Sequence, residues 1–106
     1  MQIVELSVAQ LKARLDKGEQ VFLLDVREPF EHEIANLKGH LIPLGDLPGR
    51  LDELDKDAET VVYCHHGNRS RYAAEFLLSQ GFRSVQNLAG GIEAWATEID
   101  PTMPRY

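Results

Sequence analysis

The chain of 106 residues is 43% apolar and 26% charged, a balance that suits a single domain built on one hydrophobic core. Its 17 acidic side chains against 11 basic ones give a formal net charge of −6, which argues against a general nucleic-acid binder, since that needs a basic stripe to neutralise phosphates. No apolar run approaches the roughly 18 residues of a membrane span, and the lone cysteine cannot close an internal disulfide.

The N-terminus, MQIVELSVAQLK, lacks the basic start and long apolar run of a signal peptide, so a cytoplasmic protein without a membrane partner is expected. Ser7-Val8-Ala9-Gln10 reads as a capping box, after which Val8, Leu11 and Leu15 recur at helical spacing and Gly18 supplies a stop. VFLLDV (21–26) is too short for a helix and reads as a buried strand. Pro29 suits the first turn of a short helix through Ile34. Leu41-Ile42 is a brief strand, and a weak helical segment is expected from Leu47 to Leu54. Thr60 to Tyr63, β-branched and aromatic, is a second clear strand ending at Cys64. A helix follows from Arg69 to Gln80, with Ala73, Phe76 and Leu77 on one face and Gly81 as its stop. Ser84 to Leu88 is a last strand, Gly90-Gly91 a turn, and Ile92 to Ile99 a final helix ahead of Pro101. Near-continuous apolar strands alternating with helices predict a three-layer α/β domain around a parallel sheet.

In such folds ligands gather beyond the carboxyl ends of the strands. Two strands turn polar there, FLLDVRE at Asp25 and VVYCHHGNRS at Cys64, which would place both on one rim. The second break feeds a helix through a short loop containing Gly67. Inward-turned N–H groups and the helix dipole make such a loop an anion nest, and a cysteine at its mouth should have its thiolate stabilised. Arg69 adds a permanent cation. Taken alone, a cysteine at a strand end is more often a small, inert, buried apolar residue than a reactive one, and the polar Gly-containing turn that follows reverses that preference. A metal set of Cys64, His65 and His66, completed by His32 or His40, is disfavoured because consecutive ligands lack the separations that let them converge. His65 and His66 read instead as residues that shape the pocket and could carry partial positive charge.

CHHGNRS (64–70), the earlier LLDVREPFEHE and the later NLAGGIEAW together resemble the single-domain rhodaneses, the thiosulfate:cyanide sulfurtransferases, over nearly the whole chain. The resemblance implies a central five-stranded parallel sheet flanked by helices on both faces, with residues 1–106 as one domain. It implies that Cys64 forms a persulfide, and that His65, His66, Gly67, Asn68 and Arg69 complete the active loop whose amides hold the transferred sulfur. Asp25 and Arg27 match a supporting D-x-R motif; Gly90, Gly91 and Trp95 match a G-G-x-x-A-W motif in which Trp95 packs. The counterpart of the family's H-I-P-G-A stretch is Asn36 to His40, where the usual histidine and proline are missing.

No metal or organic cofactor is implied. The expected activity moves a sulfane sulfur from a small anionic donor such as thiosulfate to cyanide, a thiol or a partner protein. A variant of it is a relay delivering persulfide sulfur to a carrier in cofactor or tRNA thiolation. Phosphatases of related fold place arginine six residues after the cysteine, whereas here that residue is Ser70 and Arg69 comes one earlier. A binding module without activity usually lacks the cysteine that this chain keeps.

Overall fold

A computed structural model describes residues 3–106. Strand β1 is Val4–Leu6, and helix α1, Val8–Asp16, starts at the Ser7 cap. The Ser7 hydroxyl accepts from the Gln10 N–H at 3.1 Å while the Gln10 side chain accepts from the Ser7 N–H at 2.8 Å. Strand β2 is Phe22–Asp25, helix α2 is Pro29–Ile34 and strand β3 is His40–Leu41. Strand β4, Glu59–Tyr63, leads to helix α3, Asn68–Ser79; strand β5, Ser84–Leu88, leads to helix α4, Gly91–Glu98.

The sheet is parallel throughout, with strand order β1-β5-β4-β2-β3. Period-two alternation sends neighbouring side chains to opposite faces. Val62 and Cys64 therefore join Leu24, Ala73, Leu77 and Val85 on the α3 side. Val61 and Tyr63 join Leu11, Leu88, Ile92 and Trp95 on the side of α1 and α4. Trp95 is core, as its motif implies. None of the described helices is long and apolar enough to cross a membrane.

Two sequence expectations change. Residues 47–54 form no α-helix but two 3-10 turns, Leu44–Gly49 and Leu51–Glu53, because Pro48 lacks an N–H and interrupts regular i to i+4 bonding. The brief third strand lies one residue earlier than Leu41-Ile42, and Ile42 is buried just past it. Strand β1 carried no clear periodic signal: it is a three-residue edge in which Leu6 is buried and Val4 faces solvent.

Register decides where the chemistry can lie. Asp25 pairs level with Tyr63, and Val62 with Asn87, so Asp25 and Asn87 flank the end of β4 on its two neighbouring strands, close to the level of Cys64 at the carboxyl rim. The Ser7 box caps α1 and bonds no residue of the Cys64 loop, so its removal tests stability: Ser7→Ala should lower unfolding free energy by about 1 kcal/mol in urea titrations.

Candidate active site

Cys64 follows β4 directly and is almost wholly covered. Its Sγ accepts from the Gly67 N–H at 3.1 Å and the Ser70 N–H at 3.4 Å, and the Ser70 Oγ lies 3.3 Å away. The loop can aim these amides inward because Gly67, the N-cap of α3, takes φ = +105°, a region L side chains rarely adopt. The Ser70 hydroxyl has one proton and two neighbours. It can donate to Asn87 Oδ1 at 2.5 Å or to the Cys64 sulfur, so it links the two. The buried Asn87 also donates to the Gly67 carbonyl at 3.1 Å and to Glu5 at 3.0 Å, tying α3, β5 and β1 together behind the sulfur.

The loop's outward carbonyls are held by α4. The Ile92 N–H donates to the Cys64 carbonyl at 2.9 Å and the Glu93 N–H to that of His65 at 3.0 Å. This requires backbone against backbone. Gly91 sits at φ = +60°, and a Cβ there would fall 2.5 Å from both carbonyl oxygens. The G-G motif thus makes a turn and also permits the close approach that braces the loop.

On the rim, Asp25 and Arg27 form a fully buried, two-pronged ion pair at 2.9 and 2.8 Å. The guanidinium also donates to the carbonyls of Glu31 at 3.2 Å and Ala35 at 2.6 Å, and to the Tyr106 hydroxyl at 2.8 Å. His32 Nδ1 lies 2.8 Å from Asp25. Arg69 makes a second two-pronged pair, with Glu31, at 2.7 and 2.9 Å. Those hydrogen bonds, helped by the Glu28 N–H and the Tyr106 hydroxyl, outweigh burial and bring the Glu31 carboxyl down to about 2. Burial pushes the Tyr106 phenol up to about 12, so it stays a neutral donor to Glu31. His65 stacks between His66 and Tyr106, with ring centroids at 4.0 and 3.9 Å. Burial, then the nearby His66, lowers its pKa below the ordinary imidazole value, and its Nε2 is buried with no hydrogen-bond partner.

Cys64, Gly67, Arg69, Asp25 and Arg27 therefore converge with His65 at one rim, Arg69 reaching it in an ion pair. His66 and Asn68 are exposed and line, with Gly67 and Arg71, a cavity of about 140 Å³ on the outer side of the loop. A larger cavity, about 590 Å³, lies near Phe22 and Glu59, at the amino ends of β2 and β4 and away from the sulfur. His40 pairs with Glu53 and takes no part in the rim. Sequence reasoning missed Glu31, Ser70, Asn87 and Tyr106 as members of the site. Glu31, Ser70 and Asn87 stand inside quoted motifs, where only their neighbours drew attention, whereas Tyr106 is distant in sequence and had no local signal. The closing residues IDPTMPRY dock on the domain itself: Met103 packs on the α1/α4 core, Arg105 pairs with Glu93, and Tyr106 reaches the rim.

Residues 7–98 match the model of the Rhodanese-like domain. The chain is 39% identical over 107 residues to YtwF of Bacillus subtilis, covering 95% of this chain and 98% of that protein. It is 40% identical over 93 residues to a sulfurtransferase of Allochromatium vinosum, covering 87% of each. Among solved structures, a rhodanese-related protein from Thermoplasma volcanium superposes with a TM-score of 0.82 at 33% identity, over 91% of this chain and 93% of that one. Other relatives are longer, and the chain spans 54% of one and 25% of another.

Gly91→Ala should cost about 2 to 4 kcal/mol in denaturant unfolding, since the methyl meets backbone that cannot rotate aside. The depressed Glu31 carboxyl has a signed consequence. The unfolded state binds the proton more readily, so this group's stabilisation is complete above the ordinary value of 4.5 and is lost as pH falls toward about 2. Glu31→Gln should flatten the stability curve in that window, read by thermal unfolding from pH 6 downward.

Proposed function

The chain belongs to the rhodanese-like family, and on that premise we propose that it is a sulfurtransferase working through a persulfide on Cys64. The observation that carries the reading is the cradle of two amide N–H groups around a covered sulfur at the strand ends. Preorganised donors of this kind stabilise charge as it develops on the atom they face.

In the proposed cycle the Cys64 thiolate attacks the sulfane sulfur of a donor such as thiosulfate. The donor's S–S bond breaks, sulfite leaves with the electron pair, and a new S–S bond leaves Cys64 as the persulfide. A nucleophilic acceptor then attacks the outer sulfur and restores the thiolate; cyanide would leave as thiocyanate, a thiol as its persulfide. The Ser70 hydroxyl, 3.3 Å from the sulfur, would be a further hydrogen-bond donor to the thiolate. His65, His66 and Asn68 would shape the approach, while Asp25 and Arg27 hold the rim and perform no chemistry. The cycle needs a reduced cysteine, which fits a cytoplasmic setting.

A protein as acceptor, the relay reading, is favoured by one feature. Phe30 and Tyr72, 62% and 70% exposed, stand on α2 and α3, the two helices that the Glu31–Arg69 pair joins. Exposed aromatic rings on helices α2 and α3 suit docking of a carrier.

Intact mass tests the cycle. Thiosulfate or a persulfide donor should add one sulfur atom, cyanide should remove it, and Cys64→Ser should show neither step while remaining folded. Sulfur transfer should fall at least about a thousandfold in that variant; retained turnover would sink the mechanism.

A further inference from the structure

Helix α2 is exposed at Pro29, Phe30, Glu33 and Ile34, yet the one residue it buries is a carboxylate, Glu31. A buried carboxylate on a solvent-facing helix needs a purpose, because burial penalises its charge unless that charge is paired. Each of its oxygens is doubly satisfied. Oε1 accepts from Arg69 Nη1 at 2.7 Å and the Glu28 N–H at 3.0 Å. Oε2 accepts from Arg69 Nη2 at 2.9 Å and the Tyr106 hydroxyl at 2.8 Å. Arg69 is the guanidinium of the sulfur loop itself, and Glu31 occupies the two-pronged face that an oxyanion would use. Arg27, the other guanidinium at the rim, is paired in the same way with Asp25. Both of these guanidiniums are therefore already paired with a carboxylate, in a chain of net charge −6; Arg71, on the outer side of the loop, is exposed and lies 3.7 Å from Glu75.

We propose that Glu31 sets donor selectivity at Cys64, discriminating against dianions such as thiosulfate in favour of organic persulfides that carry one charge or none. This rests on the sulfurtransferase reading of Cys64. The favoured loading step is R–S–SH + Cys64–S⁻ → Cys64–S–SH + R–S⁻. The thiolate attacks the outer sulfur, the donor's S–S bond breaks as the new one forms, and the outer sulfur keeps its proton. The departing thiolate carries the electron pair and is protonated by solvent. A thiosulfate sulfonate, by contrast, must displace Glu31 from Arg69 or approach against its charge.

The experiment measures second-order rates of Cys64 persulfide formation by intact mass at pH 8, with thiosulfate and with ethyl hydropersulfide. The ratio of the thiosulfate rate to the persulfide rate should be well below one in the unmodified protein. In Glu31→Gln it should rise about tenfold, the scale of one charge interaction at a partly exposed site. In Glu31→Gln/Arg69→Gln it should return to within about twofold of the starting value, because the gain acts through the freed guanidinium. An unchanged ratio in the single variant, or a rise that survives loss of Arg69, overturns the proposal.

A salt series on the unmodified protein decides the matter if Glu31→Gln does not fold. Thiosulfate loading should speed up as ionic strength goes from about 0.02 to about 0.3 M, since screening relieves repulsion between like charges. A rate that falls or stays flat with salt means that repulsion does not limit loading, and overturns the proposal. Failure of both donors to load Cys64 is a different result, which removes the sulfurtransferase reading itself.

Discussion

The rim of this domain is organised by one demand, that the Arg27 guanidinium, with no solvent exposure, be satisfied in full. Leaving a buried cation short of partners would cost several kcal/mol, so the surrounding chain converges on it. Asp25 supplies the countercharge from the same strand end, and the carbonyls of Glu31 and Ala35 bring the end of α2 over it. The Tyr106 hydroxyl closes the set. Burial alone would lower the pKa of Arg27; hydrogen bonds to Asp25 and Tyr106 outweigh it and raise the value, keeping the charge fixed. Once α2 is placed, Glu31 has one direction to face, and Arg69 is drawn to it.

The sulfur loop is built on the opposite arrangement of the same groups. Its carbonyls are turned outward and consumed by α4 and Asn87, which leaves the Gly67 and Ser70 N–H groups free to face Cys64. A loop with its carbonyls tied down cannot relax when charge develops at its centre, and that rigidity makes fixed dipoles useful in catalysis. Glycine is needed at two places for different reasons. Gly67 turns the chain into the left-handed region, and Gly91 lets α4 approach until only hydrogen would fit.

Electrostatically the two halves of the site are separate. The amides behind the sulfur supply uncompensated positive dipole, whereas each guanidinium in front carries its own carboxylate. A negative charge at Cys64 would thus face backbone dipoles, while the charged side chains in front of it are paired with one another. The tail adds a neutral phenol and a stacked ring to this front wall, locking His65 in place.

Apolar periodicity, the Ser7 cap, Pro29 and the paired glycines determined the alternation of strands and helices. They determined too that Asp25 and Cys64 would share a rim, because these are local rules of backbone geometry and strand period. Motif resemblance added the five-stranded sheet. Local rules could not see β1, too short and too exposed to show a pattern, and they overlooked Pro48, which turned an expected helix into 3-10 turns. Nor could they show that Arg69, read as an open cation, is paired with Glu31 across 38 residues, or that Asn87 and Tyr106 complete the site. Those partners come from separate elements, and an ion pair or a buried hydrogen bond depends on distance in space. The sequence placed Cys64 at the rim; only tertiary packing decided which charges stand in front of it.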